Sequence, residues 1–218
     1  MSYKTITEFD HIFRVLFVGD DSVGKTSLLQ RYVENTFSDM YMPTIGIDFK
    51  ISTVKLNKKV VKLQLYDTGG GDHFRNIVSA YYPNADAIVI VYDISDIDSF
   101  RHVERWLHDA LHNKKNNLST KDQNVPKFLI GNKTDLPSYR RAVSSVAGET
   151  LARQHGMIFF EMSAKNKVSL IEDIFIEICK ECLLHKIPSE GGPLLHSFES
   201  TSNKYPDVKP HSKYCFCC

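Results

Sequence analysis

The chain has 218 residues, of which 42% are hydrophobic and 24% are charged, with 27 basic against 26 acidic side chains. This length favours one domain, or one domain with a tail, and the composition excludes a collagen-like, coiled-coil or wholly disordered protein. A formal net charge of +1 gives no case for nucleic acid as the partner. No apolar stretch approaches the roughly 18 to 20 residues that a membrane span needs, and no apolar segment typical of a secretion signal opens the chain. We therefore expect a cytosolic protein whose thiols stay reduced.

Strand-like and helix-like patterns alternate along most of the chain. Residues 11–18 form a short apolar run that ends at Gly19, and the apolar residues after Lys25 fall on one face of a helix. Residues 45–56 and 59–66 alternate and predict a β-hairpin around Asn57–Lys58. Further strands are predicted over 86–92, 126–131 and 157–161, and further helices over 99–112, roughly 141–155 and 168–185. This order predicts an α/β fold with a doubly wound, six-stranded, mostly parallel sheet, one antiparallel edge strand and helices on both faces.

Two polar segments break this alternation. Residues 113–124 are long for a connection between a helix and a strand and predict an exposed loop. From about Lys186 onward, Pro, Ser, Gly, His and Lys dominate without any hydrophobic period, which predicts a flexible tail rather than a second domain. The sequence thus divides into an N-terminal extension over 1–10, a folded domain over 11–185 and a tail over 186–218.

Residues 19–26 match the phosphate-loop pattern G-x-x-x-x-G-K-[ST], with a predicted strand before them and a predicted helix after them. Gly19 and Gly24 let the backbone curl so that its N–H groups point at phosphate oxygens, and the helix N-terminus adds partial positive charge. Lys25 would reach the β- and γ-phosphates, and the Thr26 hydroxyl would bind Mg²⁺. The alternative is a glycine-rich turn without a ligand. The motif alone identifies neither the base nor the reaction.

A second motif, N-K-T-D at 132–135, follows a predicted strand. The Asp135 carboxylate can accept hydrogen bonds from N1–H and the N2 amino group of guanine, whereas adenine lacks this pair of donors and would leave the carboxylate unpaired. Asn132 would brace the loop, and the stem of Lys133 would lie over the purine. In S-A-K at 163–165, the alanine N–H would meet the guanine O6. Each motif alone is also typical of an ordinary surface turn, but together with a phosphate loop they favour a guanine nucleotide.

Five motifs together resemble those of the Ras superfamily of small GTPases, and within it the Rab family. Between about residues 11 and 185 they occur in family order and spacing: G-D-D-S-V-G-K-T, P-T-I-G-I-D-F at 43–49, D-T-G-G at 67–70, N-K-T-D and S-A-K. The Rab-specific part consists of I-G-I-D-F, K-L-Q-L-Y-D at 62–67, F-R at 74–75, Y-Y at 81–82 and V-Y-D-I-S at 91–95. The resemblance implies the P-loop NTPase fold, a small GTPase domain over 11–185, binding of GTP or GDP with Mg²⁺, GTP hydrolysis and a switch role in vesicle trafficking.

The resemblance also implies roles for individual residues. Thr44 would bind Mg²⁺ and sense the γ-phosphate from switch I, Asp67 would hold Mg²⁺ through water, and the Gly70 N–H would meet the γ-phosphate. Phe37 would pack edge-on against the base. The candidate catalytic residues are Lys25, Thr44 and Gly70, and the candidate metal ligands are Thr26, Thr44 and Asp67. The candidate nucleotide-binding residues are Gly19, Asp21, Ser22, Val23, Gly24, Lys25, Thr26, Ser27, Phe37, Thr44, Asp67, Gly70, Asn132, Lys133, Asp135, Ser163, Ala164 and Lys165.

An effector-binding surface is the last implication of the resemblance for the folded domain. It would comprise Ile45, Phe49, Tyr66, Phe74 and Tyr81. The family usually has Trp where this chain has Tyr66, so the effector preference does not follow from the resemblance. Ordinary packing in the core or on the hairpin is the alternative explanation for these aromatic residues.

Two of the departures from the family pattern bear on hydrolysis. Where the family reads D-T-A-G-Q-E, this chain reads D-T-G-G-G-D at 67–72, so Gly71 replaces the glutamine that orients the attacking water. Asp21 stands in the phosphate loop where Ras proteins usually have glycine and Rab proteins often have serine. Its side chain can crowd the water-positioning group or an incoming arginine finger. We expect retained nucleotide affinity and impaired intrinsic hydrolysis; the alternative is a partner that supplies both arginine and glutamine.

The five cysteines all lie at or after Cys179. Cys179 and Cys182 form C-x-x-C within a predicted helix and are interpreted as packing residues, because no second ligand pair stands at zinc spacing. C-F-C-C at 215–218 formally matches C-a-a-X. The resemblance suggests instead two geranylgeranyl groups, on Cys217 and Cys218 or on Cys215 and Cys217. The tail has four lysines against three acidic residues, so two lipids would be needed for stable anchoring. Unmodified cysteines are the alternative.

These features favour a membrane-docked molecular switch on the cytoplasmic face of an intracellular membrane and in the cytosol. GTP would order residues 36–49, which form switch I, and residues 67–82, which form switch II, and hydrolysis or exchange would release them. The expected partners are effectors, an exchange factor, an activating protein, prenyl-escort and extraction proteins, and a membrane surface. One alternative is a nucleotide kinase, which N-K-x-D and the lack of an acceptor-site pattern oppose. Another is a scaffold that holds GTP almost permanently, which Gly71 and Asp21 favour.

Overall fold

The structure, a computed structural model, describes residues 9–40, 42–56, 58–115, 125–166 and 168–186. The predicted tail beyond Lys186, with its three cysteines, lies outside the described residues, as do residues 1–8 of the N-terminal extension and Asn57 of the predicted hairpin turn. Within the described ranges, no helix is both long enough and apolar enough to cross a membrane.

Six strands form one sheet. They are β1 (His11–Val18), β2 (Ile47–Leu56), β3 (Lys59–Thr68), β4 (Ala87–Asp93), β5 (Lys127–Asn132) and β6 (Ile158–Glu161). The strand order is β2-β3-β1-β4-β5-β6. The β2–β3 pair is antiparallel and the other four pairs are parallel, which confirms the predicted sheet with its antiparallel edge strand.

Helices cover both faces of this sheet. They are α1 (Lys25–Glu34), α2 (Arg75–Ser79), α3 (Ile97–Arg101), α4 (Val103–Lys115), α5 (Ser145–Gln154) and α6 (Val168–Lys186). One apolar core joins the sheet to α1 and α6, and a second core joins the opposite face to α4 and α5. Every residue of β4 is buried, because this central strand is covered on both sides.

The helix predicted over 99–112 is interrupted in the structure. It begins earlier, at Ile97, because the Asp96 carboxylate accepts two backbone N–H groups of the first turn. It breaks at His102, and α4 starts at Val103. The hydrophobic pattern spans the break because the apolar side chains on both sides of it face the same core.

Three smaller differences also concern helices, two of them a helix end and one a whole helix. The predicted loop over 113–124 is wrong for its first three residues, which belong to α4, and 116–124 lie outside the described residues. The helix predicted over roughly 141–155 begins only at Ser145, after the Ser144 hydroxyl caps its first turn. The short helix α2 was not predicted, because five residues are too few for a recognisable hydrophobic period.

Cys179 and Cys182 are buried free cysteines of α6 and belong to the core between α6 and the sheet. Burial raises the pKa of the Cys179 thiol to about 12, so this thiol stays protonated at neutral pH. No group of three or more metal-binding side chains occurs in the described part of the chain.

Candidate functional site

A cavity of about 400 Å³ lies where the loops after β1, β5 and β6 meet the segment between α1 and β2. Most of the candidate nucleotide-binding residues line it. They are Asp21, Ser22, Gly24, Lys25, Thr26, Ser27, Phe37, Thr44, Gly70, Asn132, Lys133, Asp135, Ser163, Ala164 and Lys165. Gly19, Val23 and Asp67 are not among the lining residues. Each accepts a hydrogen bond from a lining residue: Gly19 from Lys25, Val23 from Asn132 and Asp67 from Thr26.

The phosphate loop connects β1 directly to α1. Gly19 has φ 139°, and a Cβ added there would lie 2.2 Å from the Val91 carbonyl oxygen, so β4 leaves room for glycine only. Gly24 has φ 95°, and its Cβ would lie 2.3 Å from the Asn132 side-chain nitrogen. Ser22 also has a positive φ, of 63°. These conformations wrap the loop around the N-terminus of α1, where the unpaired N–H groups of a helix favour an anion.

Lys25 follows the loop as the first residue of α1, and its side chain is buried. Its Nζ donates to the carbonyl oxygens of Gly19 and Asp20, both at 2.7 Å. Burial lowers the pKa of Lys25 to about 8, although the nearby carboxylates of Asp67 and Asp21 favour the charged form. An anionic ligand in the cavity would offset this desolvation and favour the charged form further.

Thr26, Thr44 and Asp67 form an oxygen cluster beside Lys25. The Thr26 hydroxyl lies 2.7 Å from the Thr44 hydroxyl and donates to Asp67 Oδ2 at 2.5 Å. Asp67 Oδ1 is buried and has no hydrogen-bond partner among the described residues. Burial raises the pKa of Asp67, against the opposing effects of the Thr26 hydrogen bond and Lys25. A carboxylate with an unpaired buried oxygen, next to two hydroxyls, suits a hard cation such as Mg²⁺.

The loops after β5 and β6 are tied to each other and to the phosphate loop. The Asn132 side chain donates to the Val23 carbonyl at 2.8 Å and accepts the Ala164 N–H at 3.2 Å. The Ser163 hydroxyl donates to Asp135 Oδ1 at 2.5 Å. Asp135 is therefore held at the cavity wall, where the residue remains exposed.

The far end of the cavity has an aromatic and basic wall. The Phe37 ring lies 5.8 Å from the Arg31 guanidinium carbon and 5.8 Å from Lys165 Nζ. Lys165 also forms an ion pair with Asp39 at 2.9 Å. On the other side, Lys133 has φ 70° and pairs with Asp93 of β4 at 2.7 Å. This pairing fixes the direction in which the Lys133 stem runs along the cavity.

Comparison with known proteins places the chain in a family. The model of the Ras family matches residues 14–184. Ras-related protein Rab-13 of Mesocricetus auratus is 38% identical over 207 residues, which are 95% of this chain and 97% of that protein. Ras-related protein RABE1d of Arabidopsis thaliana is 41% identical over 175 residues, or 80% of this chain and 77% of that protein. The GTP-binding protein yptV2 of Volvox carteri is 43% identical over 176 residues, covering 81% and 77%.

The chain belongs to the Rab family of Ras-superfamily GTPases. This confirms the family predicted from the motifs, and GTPases of this family hydrolyse GTP. The two departures from the family pattern, Asp21 and Gly71, can now be located in the fold of this Rab-family chain.

Asp21 and Gly71 are neighbours across the gap between the phosphate loop and switch II. The Gly70 N–H donates to Asp21 Oδ1 at 2.9 Å. A Cβ on Gly71 would lie 3.2 Å from Asp21 Oδ2 and 2.6 Å from His73 Cε1. The two residues that depart from the family pattern therefore lie side by side, and the side chains of Asp21 and His73 occupy the space beside Gly71.

Gly69 is a third small residue in this arrangement, at the position where the family has alanine. A Cβ there would lie 2.7 Å from the Thr44 carbonyl oxygen and 2.5 Å from the Phe74 ring. The Gly69 N–H donates to the Gly46 carbonyl at 2.8 Å. The two switch segments of this Rab-family chain thus contact each other through backbone atoms.

The structure brings three of the five residues of the candidate effector surface together in one row. The ring centroids of Phe49 and Tyr66 are 5.2 Å apart, and those of Tyr66 and Tyr81 are 5.4 Å apart. Phe49 and Tyr81 are 44% and 36% exposed, which argues against core packing for these two rings. Ile45 is exposed and lies before β2, whereas Phe74 packs beside His73 and Gly69.

Sequence reasoning missed Asp20 and its partners. Trp106 Nε1 donates to Asp20 Oδ1 at 2.7 Å, and His102 Nδ1 lies 2.6 Å from Asp20 Oδ2. The Arg75 guanidinium lies 5.5 Å from the Trp106 ring and pairs with Asp109. These contacts fix the phosphate loop on α4, and no local motif indicates them, because 82 and 86 positions separate the bonded residues in sequence.

Proposed function

We propose that this protein binds GTP and GDP with Mg²⁺ in the cavity beside the phosphate loop, and that it acts as a membrane-anchored switch in vesicle trafficking with slow intrinsic hydrolysis. One observation carries the proposal. The phosphate loop, the Asp67 cluster and both base-recognition motifs converge on one cavity of about 400 Å³, a volume within the usual range for small-molecule sites.

The base end of the cavity would select guanine. Asp135 presents a carboxylate that can accept both N–H groups of the guanine edge, and Ser163 holds that carboxylate by a hydrogen bond. Asn132 ties the two base loops to the phosphate loop, so the base and phosphate subsites keep a fixed separation. Adenine would leave the Asp135 carboxylate without donors, and such a mismatch is strongly discriminated against.

The phosphate end would be bound by Lys25 and by the backbone N–H groups at the start of α1. Thr26, Thr44 and Asp67 are the residues that would hold Mg²⁺, because their oxygens already form one cluster. When bound, the cation would neutralise charge on the phosphate oxygens. Thr44 belongs to switch I, so its contact with Thr26 would connect the order of switch I to the nucleotide.

Slow hydrolysis follows from the absence of a side chain at Gly71. The attacking water needs a group that orients it, and no side chain at this position can do so. Asp21 adds a negative charge beside the γ-phosphate subsite and occupies the space that an arginine finger from a partner would enter. The remaining nucleotide-binding residues match the family, so affinity is expected to be retained.

The switch segments and the tail would connect the site to partners. Phe49, Tyr66 and Tyr81 form an exposed aromatic row between the switches, which effectors would contact. Exchange factors, activating proteins and prenyl-escort and extraction proteins are expected as for other Rab GTPases. Two prenyl groups, on Cys217 and Cys218 or on Cys215 and Cys217, would anchor the protein to a cytoplasmic membrane face and leave a cytosolic pool after extraction.

Single-turnover GTP hydrolysis on the purified full chain tests this proposal. We expect the double variant Asp21→Ser/Gly71→Gln, which carries family residues at both positions, to hydrolyse GTP at least about tenfold faster than the wild type. Equal rates would contradict the proposed cause of slow hydrolysis. Failure of the wild type to bind GTP would contradict the proposed function itself.

A near-constitutive, GTP-bound scaffold is the second candidate function. The missing side chain at Gly71 favours it, because no group at this position orients the attacking water and bound GTP would persist. The nucleotide released from the purified protein separates the two candidates. A scaffold would release almost only GTP, whereas a switch would release GDP or a mixture.

A further inference from the structure

One backbone donor in switch II faces two possible acceptors. In the structure, the Gly70 N–H donates to Asp21 Oδ1 at 2.9 Å. Under the proposed function, the γ-phosphate of GTP would accept the same N–H. A single N–H group cannot make two strong hydrogen bonds at once, so the carboxylate and the γ-phosphate compete for it.

The carboxylate contact is held in place from both sides. A Cβ on Gly70 would lie 2.2 Å from Asp20 C and from Asp21 N, so the two backbones already touch. On its outer side, switch II is tied to α4 by ion pairs from Asp72 to Arg105 and from Arg75 to Asp109. Switch II therefore contacts both the phosphate loop and α4.

The charge of Asp21 adds to this competition. Asp21 and Lys25 line the same cavity, and a γ-phosphate entering between the phosphate loop and Gly70 would bring a second anion beside the carboxylate. Lys25 offsets this repulsion in part, since it is a single cation near both groups. GDP has no γ-phosphate, so it would leave the bond between Asp21 and Gly70 intact.

We propose that Asp21 is a specificity-determining residue that favours GDP over GTP, because its carboxylate occupies the hydrogen-bond donor that the γ-phosphate requires. The inference rests on the proposed function and adds a regulatory property to it. Asp21 would hold switch II against the phosphate loop in the GDP state, as the γ-phosphate would in the GTP state. Gly71 completes the arrangement, because a Cβ there would lie 3.2 Å from Asp21 Oδ2 and restrict the carboxylate.

The test is the ratio of two dissociation constants, that of GTPγS divided by that of GDP, measured with Mg²⁺ on the full chain. We expect this ratio to be at least about tenfold higher in the wild type than in Asp21→Ser, which means that the wild type prefers GDP more strongly. Tenfold is the size expected for the loss of one charge-assisted hydrogen bond, with the repulsion between the two anions partly offset by Lys25. Asp21→Asn keeps an acceptor but removes the charge, so its ratio is expected to lie between the two. The GDP affinities of all three are expected to agree within about threefold.

Asp39→Asn is the matched control, since it removes a carboxylate from the lining of the same cavity but at its far end, where Asp39 pairs with Lys165 rather than with switch II. Its ratio is expected to equal that of the wild type. Ratios that agree within about twofold in wild type and Asp21→Ser overturn the inference while leaving nucleotide binding established. Absence of binding to either nucleotide in all variants overturns the proposed function, and with it the inference.

Discussion

The position of the Asp21 carboxylate beside Gly71 leads to a prediction about coupled substitutions. Gly71 has φ −72° and ψ 145°, a backbone conformation that any residue adopts, so glutamine can be placed there without backbone strain. The new Cβ would lie 2.6 Å from His73 Cε1, and the exposed His73 ring can rotate away. The Cβ would also lie 3.2 Å from Asp21 Oδ2, which brings the glutamine amide beside a carboxylate.

This geometry sets the expected size of each effect. In Gly71→Gln, the amide N–H groups would donate to Asp21 instead of orienting water, so we expect hydrolysis to rise by less than about threefold. Asp21→Ser alone leaves no water-positioning group and is also expected to change the rate by less than about threefold. In the double variant the glutamine is free, and an increase of at least about tenfold corresponds to about 1.4 kcal/mol of transition-state stabilisation.

Single-turnover hydrolysis of preloaded GTP in the four proteins of this double-mutant cycle measures the coupling. The predicted result is that the increase in the double variant exceeds the product of the two single-variant increases, which is a favourable coupling between the two positions. If Gly71→Gln alone raised the hydrolysis rate as much as the double variant does, the reasoning from the 3.2 Å distance between the added Cβ and Asp21 Oδ2 would be refuted.

Three further predictions concern the core, pH and metal. Tyr92→Phe should raise the free energy of unfolding by up to about 1 kcal/mol in denaturant titrations, because the buried Tyr92 hydroxyl has no hydrogen-bond partner in the described part of the chain. A lower free energy of unfolding in this variant would contradict the prediction. The hydrogen bond to Asp20 raises the pKa of His102 above its ordinary value of 6.5. Protonated His102 therefore stabilises the fold fully below pH 6.5, and this stabilisation is lost as the pH rises through the folded-state pKa. The difference in the free energy of unfolding between wild type and His102→Gln should therefore be largest near pH 6 and shrink towards pH 8.5. It should stay below about 1 kcal/mol, because solvent screens the ion pair between His102 and Asp20. A difference that does not change with pH would contradict the assignment. Chelation of Mg²⁺ should speed GDP release at least about tenfold in the wild type but hardly at all in Asp67→Asn, whereas an equal response in both would exclude Asp67 from the metal site.

Much of the fold could be predicted because its pattern is local. The buried run of β1 predicted its bounds, His11–Val18, and the motif after it predicted a strand, a loop and a helix in that order. Parallel strands bring their carboxyl ends to one edge, so the spacing of N-K-T-D and S-A-K after two strands was enough to place Asp135 and Ser163 together. The break at His102 was missed because the apolar period continues across it.

The contacts that distinguish this chain from its family could not be predicted in the same way. The resemblance places the Asp21 side chain near the water-positioning group, but it does not predict the hydrogen bond from the Gly70 N–H to Asp21, because 49 positions separate the two residues. The partners of Asp20 on α4 depend likewise on how two helices pack on the sheet. Such pairs follow from the three-dimensional arrangement of the backbone, which a single sequence does not specify by spacing.

Guanine selectivity is the most direct test of the central claim, since the whole account depends on a guanine nucleotide in the cavity. The measurement is a competition titration of GDP against ADP on the purified full chain with Mg²⁺, with Asp135→Asn as the paired variant. The account predicts that GDP binds at least about a thousandfold more tightly than ADP, and that Asp135→Asn loses most of this preference. Equal affinities for GDP and ADP in the wild type, or no binding of either, would contradict it.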